Sequence, residues 1–211
     1  HVLPNDYNFT PYLDKMTKWN GYKISWSFMH TFDPEDKRLL TIASEYTSKD
    51  GVVHNEKNDS QDPSAQLYLG AVPLKYEFDP DCTGEDSQID WIIYRYADVL
   101  TLTAEAIVRN KNAVTKEAVD LLNEVRTRSL PGKGYSLQDL NSVDKFLKAV
   151  LDERGWELYF EGNRRQDLIR YGIFVETIKK KAQSMGKQTL VDENRHRFPI
   201  PQSIIDEGKG I

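Results

Sequence analysis

Glu153, Glu157 and Glu161 recur every fourth residue in Glu153-Arg-Gly-Trp-Glu-Leu-Tyr-Phe-Glu161, a spacing that stacks three carboxyls on one helix face. Two carboxyls flanking a glycosidic bond are the minimum for glycoside hydrolysis, and this spacing permits it. Arg154, Arg164 and Arg165 interleave with these acids. Cations lower carboxyl pKa values, the wrong direction for a general acid. The run is therefore read as structural ion pairing, with Arg154, Glu161, Arg165 and Asp167 as its members. On the stripe of the preceding helix, Arg154 and Glu161 both fall toward the core. Each then needs a partner, because an unpaired buried charge costs several kcal/mol.

Other chemistry is weaker. His1, His30, His54 and His196 lack ligand spacing, and Cys82 is the only cysteine, so neither a zinc site nor an intrachain disulfide is expected. Asp79, Asp81, Glu85 and Asp86 lack the order of a calcium loop and read as a solvated acidic stretch. Gly132-Lys133-Gly134 is a turn, not a phosphate loop, and there is no nucleophile elbow. No metal or cofactor is implied. The net charge of -5 argues against a nucleic-acid partner, and Lys179-Lys180-Lys181 reads as a wet helix face.

Rings are the remaining candidates. A sugar presents apolar C–H faces on which an indole or phenol stacks, while amides and charged groups bond its hydroxyls. Trp19, Asn20, Tyr22, Lys23 and Trp26 form the best such group. Trp91 and Trp156 are read as packing residues within helices.

The elements that must position these residues fall into two stretches. Residues 1–90 read as an irregular, aromatic-rich, ligand-facing lobe that includes Tyr7, Phe9 and Tyr12. Alternation over Tyr22, Ile24, Trp26 and Phe28 predicts a strand, with a short helix from Ser25 as the alternative. Leu39–Tyr46 predicts a strand, and Lys49-Asp50-Gly51 a hairpin turn returning at Val52-Val53. His54–Ser64 and Asp79–Asp90 predict exposed loops, with a short extended piece between them broken at Pro73.

Residues 91–211 read as a helical scaffold, continuous with the lobe as one domain. A stripe from Ile93 through Tyr96, Ala97, Leu100, Ala104, Ile107 and Val108 predicts a helix ending at Asn110–Asn112, with Arg95/Asp98 and Glu105/Arg109 as solvent-side pairs. Thr115 caps a second helix with stripe Ala118, Leu121, Leu122 and Val125, making a tetratricopeptide-like hairpin. Ser142 caps a third, extended to a stop at Gly162. Asn163 caps a fourth, broken at Gly172. Phe174, Ile178, Ala182 and Met185 then continue a stripe, and Phe198-Pro-Ile-Pro201 reads as extended. The fold class is thus mainly α: a helical bundle with that hairpin, plus an irregular lobe with a short β-hairpin.

No apolar run reaches the roughly 18 residues of a membrane span. His1-Val-Leu-Pro-Asn-Asp6 has neither the charged start nor the apolar core of a signal peptide. Without an initiator Met, the sequence reads as a fragment or processed product.

Several runs, taken in order, resemble the SusD/RagB family of outer-membrane nutrient-binding lipoproteins. They are Asn20-Gly21-Tyr22, Thr31-Phe-Asp-Pro-Glu-Asp-Lys-Arg38, Lys75-Tyr76 and Tyr94-Arg-Tyr-Ala-Asp-Val-Leu100 with Ala104-Glu-Ala106. Leu122-Asn-Glu-Val-Arg-Thr-Arg128, Glu153-Arg154, Glu161-Gly-Asn-Arg-Arg-Gln-Asp-Leu-Ile-Arg170 and Phe198-Pro-Ile-Pro201 follow. The resemblance implies a non-catalytic protein that holds an oligosaccharide, or in some members a peptide, over a SusC-like TonB-dependent transporter. It implies an outward-facing position on the outer membrane through a lipid anchor. It places that lipidated Cys and most tetratricopeptide helices in an N-terminal half outside this sequence. Its matched motifs are scaffold positions, so no ligand residue carries over. Asp206-Glu-Gly-Lys-Gly-Ile211 stands where a Gln-Asn-Pro pattern is common.

Overall fold

A computed structural model describes residues 2–7, 15–184, 186, 188, 191–192, 194 and 197–208. Phe9, Tyr12, Met185 and His196 lie outside the described residues. The chain divides into two compact units, His1–Glu161 and Gly162–Ile211.

Three helices form the scaffold of the first unit: α3 Tyr96–Lys111, α4 Lys116–Ser129 and α5 Val143–Glu157. The short link from α3 to α4 forces an antiparallel hairpin. Asn112 closes α3 in the left-handed region, at φ 48°. The Thr115 hydroxyl accepts from the Ala118 N–H at 3.2 Å, and Ser142 does the same for Lys145 at 3.2 Å. Such caps each stabilise by about 1 kcal/mol. Ala104 and Val108 of α3 meet Ala118 and Leu122 of α4 and Phe146 and Val150 of α5, all fully buried. Small alanines at the α3–α4 contact allow close approach, and Phe146 fills the space beneath them.

The structure corrects several expectations for this unit. Helix α3 begins at Tyr96, not Ile93: Arg95 precedes it with an extended backbone, φ -147° and ψ 165°, and Trp91, Ile92, Ile93 and Tyr94 are exposed. Asp98 and Glu105 are buried rather than wet. Arg109 does bond Glu105 at 2.7 Å, but Arg95 turns away from Asp98. Helix α5 ends at Glu157, and Gly162 lies in the turn that follows.

The lobe around this scaffold contains α1 Trp26–Met29, a 3-10 turn Lys37–Thr41, β1 Ile42–Ala43, β2 Glu45–Thr47, β3 Val53–Asn55, α2 Glu56–Asp59 and β4 Val72–Pro73. Antiparallel β2 and β3 form the hairpin across Asp50-Gly51, in register Tyr46↔His54. Strands β1 and β4 pair antiparallel. Of the two readings of 22–28 the structure takes the helix: one bridge, Ile24↔Ala71, is followed by α1 with Ser25 at its N-cap. That bridge requires Gly70 at φ +143°, since a Cβ there would lie 1.9 Å from the Ile24 carbonyl oxygen. The strand expected from Leu39 begins only at Ile42. Of 54–64, expected as an exposed loop, residues 61–64 are exposed, but the first part forms the end of β3 and α2, with His54 and Asp59 buried and bonded at 2.8 Å.

The second unit contains α6 Arg164–Arg170, α7 Phe174–Ser184 and α8 Gln202–Glu207. Gly172, at φ +71°, breaks α6 from α7. Asn163 precedes α6 without a side-chain capping bond.

Candidate ligand-binding site

The acids with the spacing for catalysis are enclosed in cations. Helix α5 presents Glu153 and Glu157 on consecutive turns, and the following turn adds Glu161. Glu153 accepts from Arg38 at 2.6 Å and from Arg126 at 3.1 Å. Glu157 accepts from Arg95 at 2.6 Å, from Arg38 at 3.1 Å and from Arg128. Glu161 pairs with Lys75 through one oxygen and accepts from Arg95 Nε at 2.8 Å through the other. Arg38 also forks onto Asp36 at 2.6 Å. Burial alone would raise the Glu157 carboxyl, but Arg95, Arg128 and Arg38 outweigh it and hold it below the usual range. Burial raises the Glu153 carboxyl, offset only in part by Arg38 and Arg126. Neither carboxyl is open to a substrate, because both side chains are at most 2% exposed.

Of the residues read as ion pairs, Arg154 donates to Asp98 at 2.6 Å and to the Thr101 hydroxyl at 2.8 Å, inside the bundle. In the second unit Asp167 accepts from Arg170 at 2.8 Å, and Arg165 lies over the Phe198 ring at 4.4 Å. Leu122–Arg128 has a local role too. Asn123 bonds both the N–H and the carbonyl of Tyr135, and Arg126 bonds the Lys133 carbonyl at 2.7 Å. Among the described residues no group of His, Cys, Asp and Glu is arranged to hold a metal.

The five residues singled out for ligand contact are split. Trp26 is half-buried between two core clusters, and its indole N–H donates to the Leu67 carbonyl at 3.1 Å. Asn20, at φ 52°, spends its amide on Gln66, at 2.8 Å and 3.1 Å. Lys23 donates to Asn20 Oδ1, and burial, against the pull of Asp6, lowers its pKa to about 8. Trp19 and Tyr22 are exposed. Of the five, only Tyr22 lines the aromatic cavity described next.

That cavity, of about 260 Å³, is lined by Tyr22, Tyr76, Trp91 and Phe160 among others. Trp91 and Tyr76 stack at 4.9 Å and 15°. Phe160 meets Trp91 edge-on at 5.9 Å and Tyr22 at 5.8 Å. Trp91 nevertheless stays 53% exposed, so one face of its indole is covered and much of the ring is free. Glu77, Glu85 and Asp90 supply acceptors around the rings. Trp91 is thus neither helical nor interior, contrary to expectation. The available signal was the four-residue apolar run it opens, which no amphipathic stripe accommodates. Cys82, also lining the cavity, has its thiol pushed up by burial and by Asp79.

Comparison with known proteins agrees with this architecture. SusD-like protein P2 of Formosa agariphila is 28% identical over 192 residues, covering 87% of this chain and 37% of that protein. The starch-binding protein SusD of Bacteroides thetaiotaomicron is 30% identical over 124 residues, 56% of this chain and 20% of that one. A crystal structure of a SusD homolog from the same organism superposes with a TM-score of 0.65 at 28% identity, covering 91% of this chain and 44% of that chain. The chain therefore covers less than half the length of each of these relatives. The family model described as the SusD family matches residues 13–211, nearly the whole sequence, and the chain belongs to that SusD/RagB family.

Proposed function

We propose that this chain forms the scaffold and part of the ligand face of a non-catalytic oligosaccharide-binding protein in a SusC/SusD-type uptake complex. The observation that carries the proposal is the ring cluster of Tyr22, Tyr76, Trp91 and Phe160 around an open cavity. A saccharide lays its C–H face on the uncovered part of Trp91 while its hydroxyls donate to the rim carboxylates. The buried acids of α5 hold helices and loops together and take no part in bond breaking. The relative named a starch-binding protein supports carbohydrate as the ligand class. The full-length protein sits outward-facing on the outer membrane by a lipid anchor and hands its ligand to a SusC-like TonB-dependent transporter. Among the described residues no helix is long and apolar enough to cross a membrane.

A second reading is a helical protein–protein scaffold or peptide-binding module. The exposed Ile93, Tyr94, Tyr96 and Val99 favour it, because such a patch suits a protein surface. Isothermal titration against oligosaccharide and peptide panels separates the two. Binding of an oligosaccharide without new reducing ends supports the proposal. Peptide binding with no saccharide response supports the second reading, and hydrolysis refutes the non-catalytic part of the first.

A further inference from the structure

Three of the four rings of the candidate site, Tyr76, Trp91 and Phe160, come from segments that regular structure does not hold together. Tyr76 follows β4, Trp91 lies in the loop before α3, and Phe160 lies in the turn after α5. Each of these rings is close in sequence to a charged residue whose side chain is largely buried. Lys75 precedes Tyr76, Glu161 follows Phe160, and Arg95 lies four residues beyond Trp91 at the N-cap of α3. All three charges meet at one carboxylate: Glu161 gives one oxygen to Lys75 and the other to Arg95. Its side chain is 2% exposed and those of Lys75 and Arg95 are 20% and 24% exposed, so both contacts are screened less than surface pairs are. Phe160 itself sits at φ +60°, a conformation unfavourable for a side chain with a Cβ, and its neighbours must hold it there. On one side Tyr159 bonds the Thr41 carbonyl at 3.1 Å, and on the other is Glu161.

We infer that Glu161 is a positioning residue for the ring platform, tying the Tyr76, Trp91 and Phe160 segments to one buried anion. This inference rests on the oligosaccharide-binding reading for its functional consequence, but its structural part is testable without ligand. Glu153 is the internal comparison. It is equally buried and also bridges two cations, the Arg38 and Arg126 guanidinium groups, yet has no ring of the platform beside it.

The experiment uses the full chain labelled with 5-fluorotryptophan. Four ¹⁹F resonances are expected, for Trp19, Trp26, Trp91 and Trp156, and single Trp→Phe variants assign them. In Glu161→Gln a neutral amide must face one of the two cations. The Trp91 resonance then shifts or broadens, and the affinity for the best-binding oligosaccharide of a maltoheptaose-containing panel falls about tenfold. Glu153→Gln leaves the Trp91 resonance and the affinity unchanged while lowering thermal stability. If Glu161→Gln does not fold, Arg95→Lys, which keeps a cation but loses the fork onto Glu161 and Glu157, gives the same two readouts. An unmoved Trp91 resonance in the folded variant overturns the inference. A moved Trp91 resonance in a protein that binds no saccharide keeps Glu161 as a positioning residue and removes the oligosaccharide reading instead.

Discussion

Glu157→Gln separates a scaffold carboxylate from a catalytic one. The substitution keeps the side chain's shape and removes its charge, so no cavity contributes. Glu157 accepts from Arg38 at 3.1 Å, from Arg95 at 2.6 Å and from Arg128, with its side chain 2% exposed. Breaking a buried pair costs about 3–5 kcal/mol, mainly because the surviving charge is stranded. Here Arg38 keeps Asp36 and Glu153, Arg95 keeps Glu161, and Arg128 is 62% exposed. No cation is stranded, so the cost falls at the low end, about 3 kcal/mol. For a chain of this size each kcal/mol moves Tm by about 2–4 °C, giving a drop of about 6–12 °C at pH 7.

The pH dependence has a definite sign. The folded Glu157 pKa is lowered, so its contribution is present above the ordinary value of 4.5 and is lost as pH falls through the lower folded value. Scanning calorimetry of wild type and variant should show a Tm gap that closes on acidification below 4.5. An unchanged Tm at pH 7, or a gap that widens toward acid, refutes the scaffold argument. So does hydrolysis of a polysaccharide by the wild type that vanishes in the variant.

Two further outcomes follow from the lobe. Gly70→Ala must drive its methyl into the Ile24 carbonyl at φ +143°, so urea denaturation should report a loss of about 3 kcal/mol or more, and a loss below about 1 would contradict the bridge geometry. Lys23 has a folded pKa of about 8 against 10.5 unfolded, so the folded chain binds fewer protons between those values and its stability rises with pH across that window. The Tm of wild type relative to Lys23→Gln should climb from pH 8 to 10.5, and a flat difference would show that Lys23 is not desolvated.

The helices were readable because local signals agreed with one another. Thr115 and Ser142 supply caps, and the Ala118–Val125 and Phe146–Val150 stripes repeat at helical spacing. Ion pairing around the α5 acids was readable as a class of interaction, but the partners were not. Arg38 and Arg95 reach Glu157 across 119 and 62 residues of sequence, a separation that spacing rules do not cover. Alternation misled at Tyr22–Phe28, where bonding to Leu67 and Ala71 decides the backbone. Composition misled at the start of His54–Ser64, where His54 and Asp59 bond each other in the interior, while residues 61–64 are exposed as their composition suggests. The candidate site was the least legible part. Tyr76, Trp91 and Phe160 lie in irregular segments, and only the tertiary fold brings their rings together.

Trp91→Ala tests the central claim most directly. The ring is half exposed, so its loss should change Tm little, while removal of the stacking surface should weaken oligosaccharide binding by about 1–3 kcal/mol, at least fivefold by titration calorimetry. Trp19→Ala, outside the cavity lining, is the control and should bind as the wild type does. Wild-type affinity in Trp91→Ala would contradict the account.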